Sequence, residues 1–179
     1  VERKEGEVQL DSGPVTLIDL PGTYSLASAS ADEQVVIDVL VGRLPGAARP
    51  DAVICVVDAS NLRRNLFLAS QVGETGLPVV IALNMADEAE RRGIRIDVAA
   101  LERNLGVPVL PTVATKGKGI AELKAALQRA ISSPGRFSPV PWPPEVLEAR
   151  SGLPGGSDAE RNRVLFDVEG PEPAGRLAR

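Results

Sequence analysis

Three short polar groupings stand at the ends of apolar runs, and their residue types are those that handle a nucleotide. Asp19-Leu-Pro-Gly22 follows the run Val15–Ile18, Asn84-Met-Ala-Asp87 follows Val79–Leu83, and Ala114-Thr-Lys116 follows Val107–Val113. In an open α/β sheet, ligands sit beyond the carboxyl ends of the strands. An aspartate at the position of Asp87 can accept two hydrogen bonds at once, from guanine's ring N–H and its exocyclic amine. Adenine lacks that donor pair, so the contact discriminates by on the order of 2–3 kcal/mol. Asn84 would brace this loop and approach the purine N7. Backbone N–H groups around Ala114 and Thr115 would donate to the guanine carbonyl, and Lys116 would lie along the base. A strand ending in Asp-x-x-Gly delivers a carboxylate and then a glycine. Asp19 would hold magnesium through water, since that ion keeps several waters. Leu20 and Pro21 make the turn, and Gly22 offers its N–H to a γ-phosphate with no Cβ in the way.

Each grouping also has a plain structural reading. Asp-x-Pro-Gly is a common turn, Asn-x-x-Asp recurs by chance, and Ala-Thr-Lys after a strand says little alone. Their order and shared place at strand ends favour a ligand site. That site also requires a phosphate cradle, Gly-x-x-x-x-Gly-Lys-Ser/Thr, ahead of the first grouping. None occurs in these 179 residues. The chain begins at Val1 and its one methionine is Met85, so the expectation is a truncated chain rather than a cradle lost in evolution.

Composition narrows the chemistry. With 44% hydrophobic and 25% charged residues the chain is ordinary globular material. A net charge of −4 argues against broad attraction to nucleic acid or an anionic membrane. The longest apolar runs are far shorter than the roughly 20 residues that cross a bilayer. There is no histidine, which removes Ser-His-Asp and Cys-His nucleophiles and His-ligated metals. The lone Cys55 sits in an apolar strand and reads as a packing residue. One cysteine without histidine builds no typical iron site.

Strand and helix patterns alternate through most of the chain. Glu7–Leu10 and Val15–Asp19 read as a hairpin around Asp11–Pro14, its second arm running inward. A helix follows over Asp32–Leu44, capped by Asp32, with Val35, Val36, Val39 and Leu40 on one face. Ala52–Val57 is a buried strand, Asp58–Asn61 a turn, and Leu62–Glu74 a helix with Leu62, Leu66, Ala69 and Val72 inward. Val79–Leu83 is a further strand, followed by a polar loop. A short helix from Asp97 aligns Val98, Leu101 and Leu105 and closes at Gly106. Val107–Val113 bears prolines and belongs at a sheet edge. The last helix aligns Ile120, Leu123, Leu127 and Ile131. The whole is an α/β fold with a mostly parallel sheet and helices on both faces. Residues 1–133 form this unit, 134–144 a Pro-rich linker, and 145–179 the incomplete start of a helical module, with short helices near Glu145–Arg150 and Asp158–Asp167. Trp142 is either a docking anchor or an exposed linker residue. The doublets Arg63-Arg64 and Arg91-Arg92 read as a solvated helix face and loop.

Several segments together resemble the cytosolic G domain of the ferrous iron transport protein B (FeoB) family, among the translation-factor-related P-loop GTPases. They are Val1–Gly6, Asp19-Leu-Pro-Gly-Thr-Tyr-Ser-Leu26, Asp32-Glu-Gln34 and Val57-Asp-Ala-Ser-Asn-Leu-Arg-Arg-Asn-Leu66, with Asn84-Met-Ala-Asp87 and Gly93-Ile-Arg-Ile-Asp97. The resemblance covers about Val1–Ile131. It implies the GTP-binding regulatory domain of a bacterial membrane iron(II) transporter, on the cytoplasmic face of the cell membrane, that slowly hydrolyses GTP. Helical and transmembrane parts follow the G domain in that family, and the full-length protein is a candidate for self-association.

By position, Asp19–Gly22 form the third GTPase motif and open switch II, Asn84, Met85 and Asp87 form the fourth, and Ala114–Lys116 the fifth. Thr23 stands where many small GTPases carry a water-orienting glutamine. Hydrolysis in the family would then rest on positioning, on magnesium and on potassium as a further candidate ion. The first motif, the switch I threonine, the first strand and the first helix have no counterpart here. The expectation is therefore that the chain alone does not fold fully, does not bind GTP tightly and is inactive. Two alternatives share these motifs: a soluble GTPase of ribosome or tRNA maturation, against which the acidic balance and Met85 weigh, and a non-hydrolysing interaction module without a cradle.

Overall fold

In a computed structural model, residues 4–26, 30–44, 46, 48–138, 144, 148 and 151 are described. Val1–Arg3, linker residues 139–143 with Trp142 among them, the helix expected near Asp158–Asp167 and the tail beyond it lie outside the described residues.

The core strand is the apolar run Val79–Asn84 (β4), whose first five residues are all buried. It pairs in parallel with Val53–Asp58 (β3) on one side and Val109–Pro111 (β5) on the other, in the order β3-β4-β5. The alternation of side chains along a strand divides the apolar residues between two faces. Val79, Ile81 and Leu83 join Cys55 and Val57 in the main core, whereas Val80 packs with Ala126 and Ala130 on the opposite face. Helices thus cover both faces, as the sequence implies. The edge position of β5 follows from its prolines. Pro108 and Pro111 lack N–H donors, so the strand shortens to three residues, although Pro108 still accepts from Ile81 N–H at 2.9 Å. Cys55 lies buried in the main core, as a packing residue does, and that burial pushes its thiol up to about 11.

On the main-core face lie the helices Ala31–Leu40 (α1), Leu62–Gly73 (α2) and Val98–Leu105 (α4). The cap of α1 is Ser30, whose Oγ accepts from Glu33 N–H. Asp32 instead sits in the first turn, where its charge favours the helix dipole. The helix ends four residues before Leu44, and its buried residues are Val36, Ile37, Val39 and Leu40. In α2, Ala69 and Val72 are buried and Leu62 and Leu66 pack partly against the core, as their spacing predicts. Asp97 caps α4, accepting from Ala100 N–H at 2.8 Å, and Gly106 closes it with φ of 71°. The unanticipated element is a short helix, Ala86–Arg91 (α3), with Asp87 and Glu88 in its first turn and Arg91 in its last.

The opposite face is covered by Ile120–Ser132 (α5). Its buried stripe is Ala126, Leu127 and Ala130 with Leu123 partly buried, and Ile131 is left exposed. The small alanines let the helix approach β4 closely, which rotates the stripe away from the larger Ile131.

Lys4–Leu10 (β1) and Gly13–Asp19 (β2) form an antiparallel hairpin closed by Asp11 and Ser12. It stands as its own two-stranded sheet. Its second arm does not run into the main sheet, and Leu17 is 44% exposed. The turn is fastened instead to α5, where Gln128 Oε1 accepts from Asp11 N–H at 2.9 Å and Ser12 N–H at 3.3 Å.

After α5 the chain folds back across the ends of α2 and α4. Phe137 packs against the main core, and Ser138 N–H donates to Leu105 O at 2.7 Å. The first residues of the expected linker therefore rest on the domain. Beyond them Pro144, Glu148 and Ser151 have helical backbone.

Gly119, the residue that starts α5, has φ of 80°, and a Cβ there would lie 2.2 Å from Pro111 O. Gly119→Ala is expected to lower stability by at least about 2 kcal/mol, read as a shift in the urea unfolding midpoint.

Candidate functional site

At the carboxyl end of the main sheet, β4 finishes on Asn84, directly in register with Asp58 at the end of β3. The Asn84 side-chain oxygen accepts from Ala114 N–H at 3.1 Å and from Thr112 Oγ1 at 3.3 Å. Thr112 is itself buried, and its N–H and C=O bond to Leu83 O and Ala86 N–H. One carboxamide thus joins the loop after β4 to the loop after β5. With its oxygen engaged twice, Asn84 retains its NH2 group as a donor.

The next residue sets the direction of the loop. Met85 takes the left-handed conformation, φ 59°, and the residue is 43% exposed. For a residue with a Cβ this costs roughly 1–2 kcal/mol, offset here because Met85 O accepts from both Glu88 and Ala89 N–H. The reversal swings the chain from β4 into α3 and places Asp87 in the first helical turn. Asp87 Oδ2 lies 2.6 Å from Lys116 Nζ. Ala114–Lys116 form a single 3-10 turn closed by Gly117, φ 67°. Ala114 N–H is committed to Asn84, so Thr115, in the first turn where amides have no intrahelical partner, supplies the next available donor.

Asn84, Met85, Asp87 and Ala114–Lys116 are therefore one connected grouping. The Lys116 ammonium, through its hydrogen bond and its charge, holds the Asp87 carboxyl below its ordinary value. A lowered carboxyl makes the pair's stabilisation complete above the ordinary carboxylate range, and it fades as pH falls through the depressed value. At neutral pH Asp87 is an acceptor only, the state needed to receive two N–H donors.

Asp19–Gly22 lie elsewhere in the chain's architecture. Asp19 is the exposed last residue of β2, Leu20 packs against the main core, and a Cβ on Gly22 would meet nothing within 4 Å. No hydrogen bond joins these residues to the Asn84–Lys116 grouping among the described residues. The hydroxyl of Thr23 is engaged locally, 2.6 Å from Ser25 O and 3.2 Å from Glu33 Oε1. No group of three or more acidic or cysteine residues suited to a metal occurs among the described residues. A lone exposed carboxylate such as Asp19 fits magnesium, which binds through one or two carboxylates plus water and phosphate oxygens.

Thr112 was not singled out by the sequence. Its signal was faint: one hydroxyl residue inside an apolar, proline-bearing strand, two positions before Ala114.

With this geometry in place, comparison with known proteins gives a consistent result. The family model for the N-terminal region of ferrous iron transport protein B matches residues 1–127. This chain belongs to that family. It is 51% identical over 133 residues to the Fe(2+) transporter FeoB of Salmonella typhimurium and 50% identical over the same length to that of Escherichia coli. Each match covers 72% of this chain and 17% of the relative, so the chain spans about a sixth of their length. Among solved structures, the FeoB G domain from Methanococcus jannaschii is 42% identical with a TM-score of 0.68, covering 74% of this chain and 81% of that one. The cytosolic domain of L. pneumophila FeoB gives 35% and 0.80, covering 94% and 69%. The T. maritima FeoB cytosolic domain in its GMPPNP form gives 30% and 0.80, with the same coverage. The mixed α/β fold with its parallel three-stranded sheet is therefore that of the FeoB G domain. No described helix is long and apolar enough to cross a membrane.

Two outcomes test the grouping. Asn84→Ala should destabilise the fold by about 1–3 kcal/mol and speed hydrogen exchange at the Ala114 amide. In Lys116→Met the Asp87 carboxyl should titrate higher than in the parent chain, as followed by side-chain carboxyl NMR.

Proposed function

We propose that this chain supplies the base-reading and switch parts of a guanine-nucleotide site in the regulatory domain of a membrane ferrous iron transporter. The observation that supports this most strongly is the Asn84–Ala114 and Asp87–Lys116 pairing, which presents one ionised carboxylate beside a donor amide turn. Asp87 would accept from the guanine ring N–H and amine, while Asn84's NH2 group meets N7. Thr115 N–H is a better donor to the guanine carbonyl than Ala114 N–H, which Asn84 occupies. Lys116 would leave its place on Asp87, in part, to lie along the base. Relatives solved with GMPPNP and GDP support this ligand class.

At the phosphate end, Gly22 N–H would meet the γ-phosphate. Asp19 would hold magnesium through water, and the ion would neutralise phosphate charge; potassium is a further candidate. Thr23 is unsuited to orient water while its hydroxyl is tied to Ser25 and Glu33. A phosphate cradle is absent from the 179 residues, so we expect this chain alone to bind GTP weakly and to be inactive. In the intact transporter this domain would lie at the cytoplasmic face of the membrane. Its partners would be the helical and transmembrane parts of the same protein, with self-association of the whole and without nucleic acid.

GMP and AMP serve as probes because base recognition does not need the cradle. In NMR titrations, GMP should shift the Asn84, Asp87 and Thr115 amides at lower concentration than AMP, by tenfold or more, on the order of 1.4 kcal/mol. Asp87→Asn should erase that preference and favour the xanthine nucleotide, whose second carbonyl accepts from the new amide. Equal responses to GMP and AMP would reject guanine reading, and micromolar GTP affinity would reject the expectation of weak binding.

A further inference from the structure

The segment that follows Gly22 is held by a helix rather than by a sheet. Tyr24 lies beneath the guanidinium of Arg64, with 3.5 Å between Cζ and the ring centroid. Two residues later, Leu26 N–H donates to Gln71 Oε1 at 3.0 Å, and the Leu26 side chain is buried in the main core. Arg64 and Gln71 are both on α2, seven positions apart, hence on one side of the helix two turns from each other. Tyr24–Leu26 therefore runs along α2 with a fastening at each end.

These fastenings differ in kind. Leu26 is anchored by burial, which nothing short of local unfolding reverses. Tyr24 is 55% exposed, so apolar burial does little to orient it. Its orientation depends on the planar cation above its ring, an interaction suited to Arg at a half-exposed aromatic. Arg64 thus departs from the plain reading of the Arg63-Arg64 doublet as solvated charge. Meanwhile Gly22 has open space around it, and β2 ends at Asp19. The backbone at Gly22 is held from both sides, by Leu20 on the main core and by Thr23 bonded to Ser25 and Glu33, with the Tyr24–Leu26 tether next along the chain.

We propose that Arg64 is a positioning residue for the Gly22 N–H, acting through Tyr24, with Gln71 as the second holder through Leu26. This rests on the guanine-nucleotide reading above, in which Gly22 senses the terminal phosphate. Arg64 contacts no nucleotide in this scheme. It sets how firmly the sensing segment is held before the ligand arrives, and makes α2 the element that feels a change in that segment.

The test is amide hydrogen exchange by NMR on the 179-residue chain. Arg64→Ala and Tyr24→Leu should each speed exchange across Gly22–Leu26 about three- to tenfold. The double variant should show no more than either single one, because both remove the same contact. Tyr24→Phe, which keeps the ring, should retain most of the protection, whereas Arg64→Lys, which keeps the charge but loses the planar stack, should retain only part of it. Amides in β3 and β4 should be unchanged, as general destabilisation would not allow. Unchanged exchange at Gly22–Leu26 in Arg64→Ala, or acceleration spread evenly into β3 and β4, would overturn the proposal. A GMP titration of the same samples separates the two ideas. Silence at Asn84 and Asp87 would remove the nucleotide reading, whereas the exchange pattern alone decides whether Arg64 holds the segment.

Discussion

The carboxamide of Asn84 is the joint on which the candidate site depends. A parallel sheet brings the ends of β4 and β5 side by side but leaves the following loops without ladder partners. Asn84 Oδ1 fills that gap by accepting from Ala114 N–H and the Thr112 hydroxyl. Two loops then behave as one surface, and the Asp87–Lys116 pair closes it from the other side. A hydrophobic residue at position 84 would leave a buried threonine hydroxyl and a backbone amide without that acceptor.

The rest of the fold keeps that surface in place. The buried residues of β4 pack in both directions, toward α2 with its neighbours and toward α5. Gly119 lets α5 start close under Pro111, which holds the Ala114–Lys116 turn at the sheet end. The hairpin is joined more lightly, through Gln128 at its turn and through Leu20 and Leu26 at its exit. Asp19–Gly22 therefore belong to a part whose position is set by α2 and α5, whereas Asn84–Lys116 are set by the sheet. A ligand reaching both would bridge two differently supported halves.

Much of this was legible from residue order. The all-apolar Val79–Leu83 announced a central strand, the prolines of Val107–Val113 announced an edge, and Asp97 with Gly106 bracketed α4. Less legible were elements whose boundaries depend on competition. Ser30 rather than Asp32 caps α1, because a cap needs extended backbone just before the helix, and Ser30 has it. The α5 stripe moved from Ile131 to alanines because close approach to β4 outweighs side-chain size. Helix α3 was hidden because its six residues, Ala86–Arg91, are too few to show a period.

By itself the sequence determined the family, the α/β class and the residue types of the candidate site, since these reside in motif order and apolar spacing. Tertiary structure alone decided which site residues meet. Ala114 lies 30 positions from Asn84, and Lys116 lies 29 from Asp87. No local pattern encodes such distances, which follow from the parallel pairing of β4 with β5 across the connection through α3 and α4. The same packing decided that Met85 turns left-handed, that Ala114 N–H is spent on Asn84, and that Arg64 finds the ring of Tyr24.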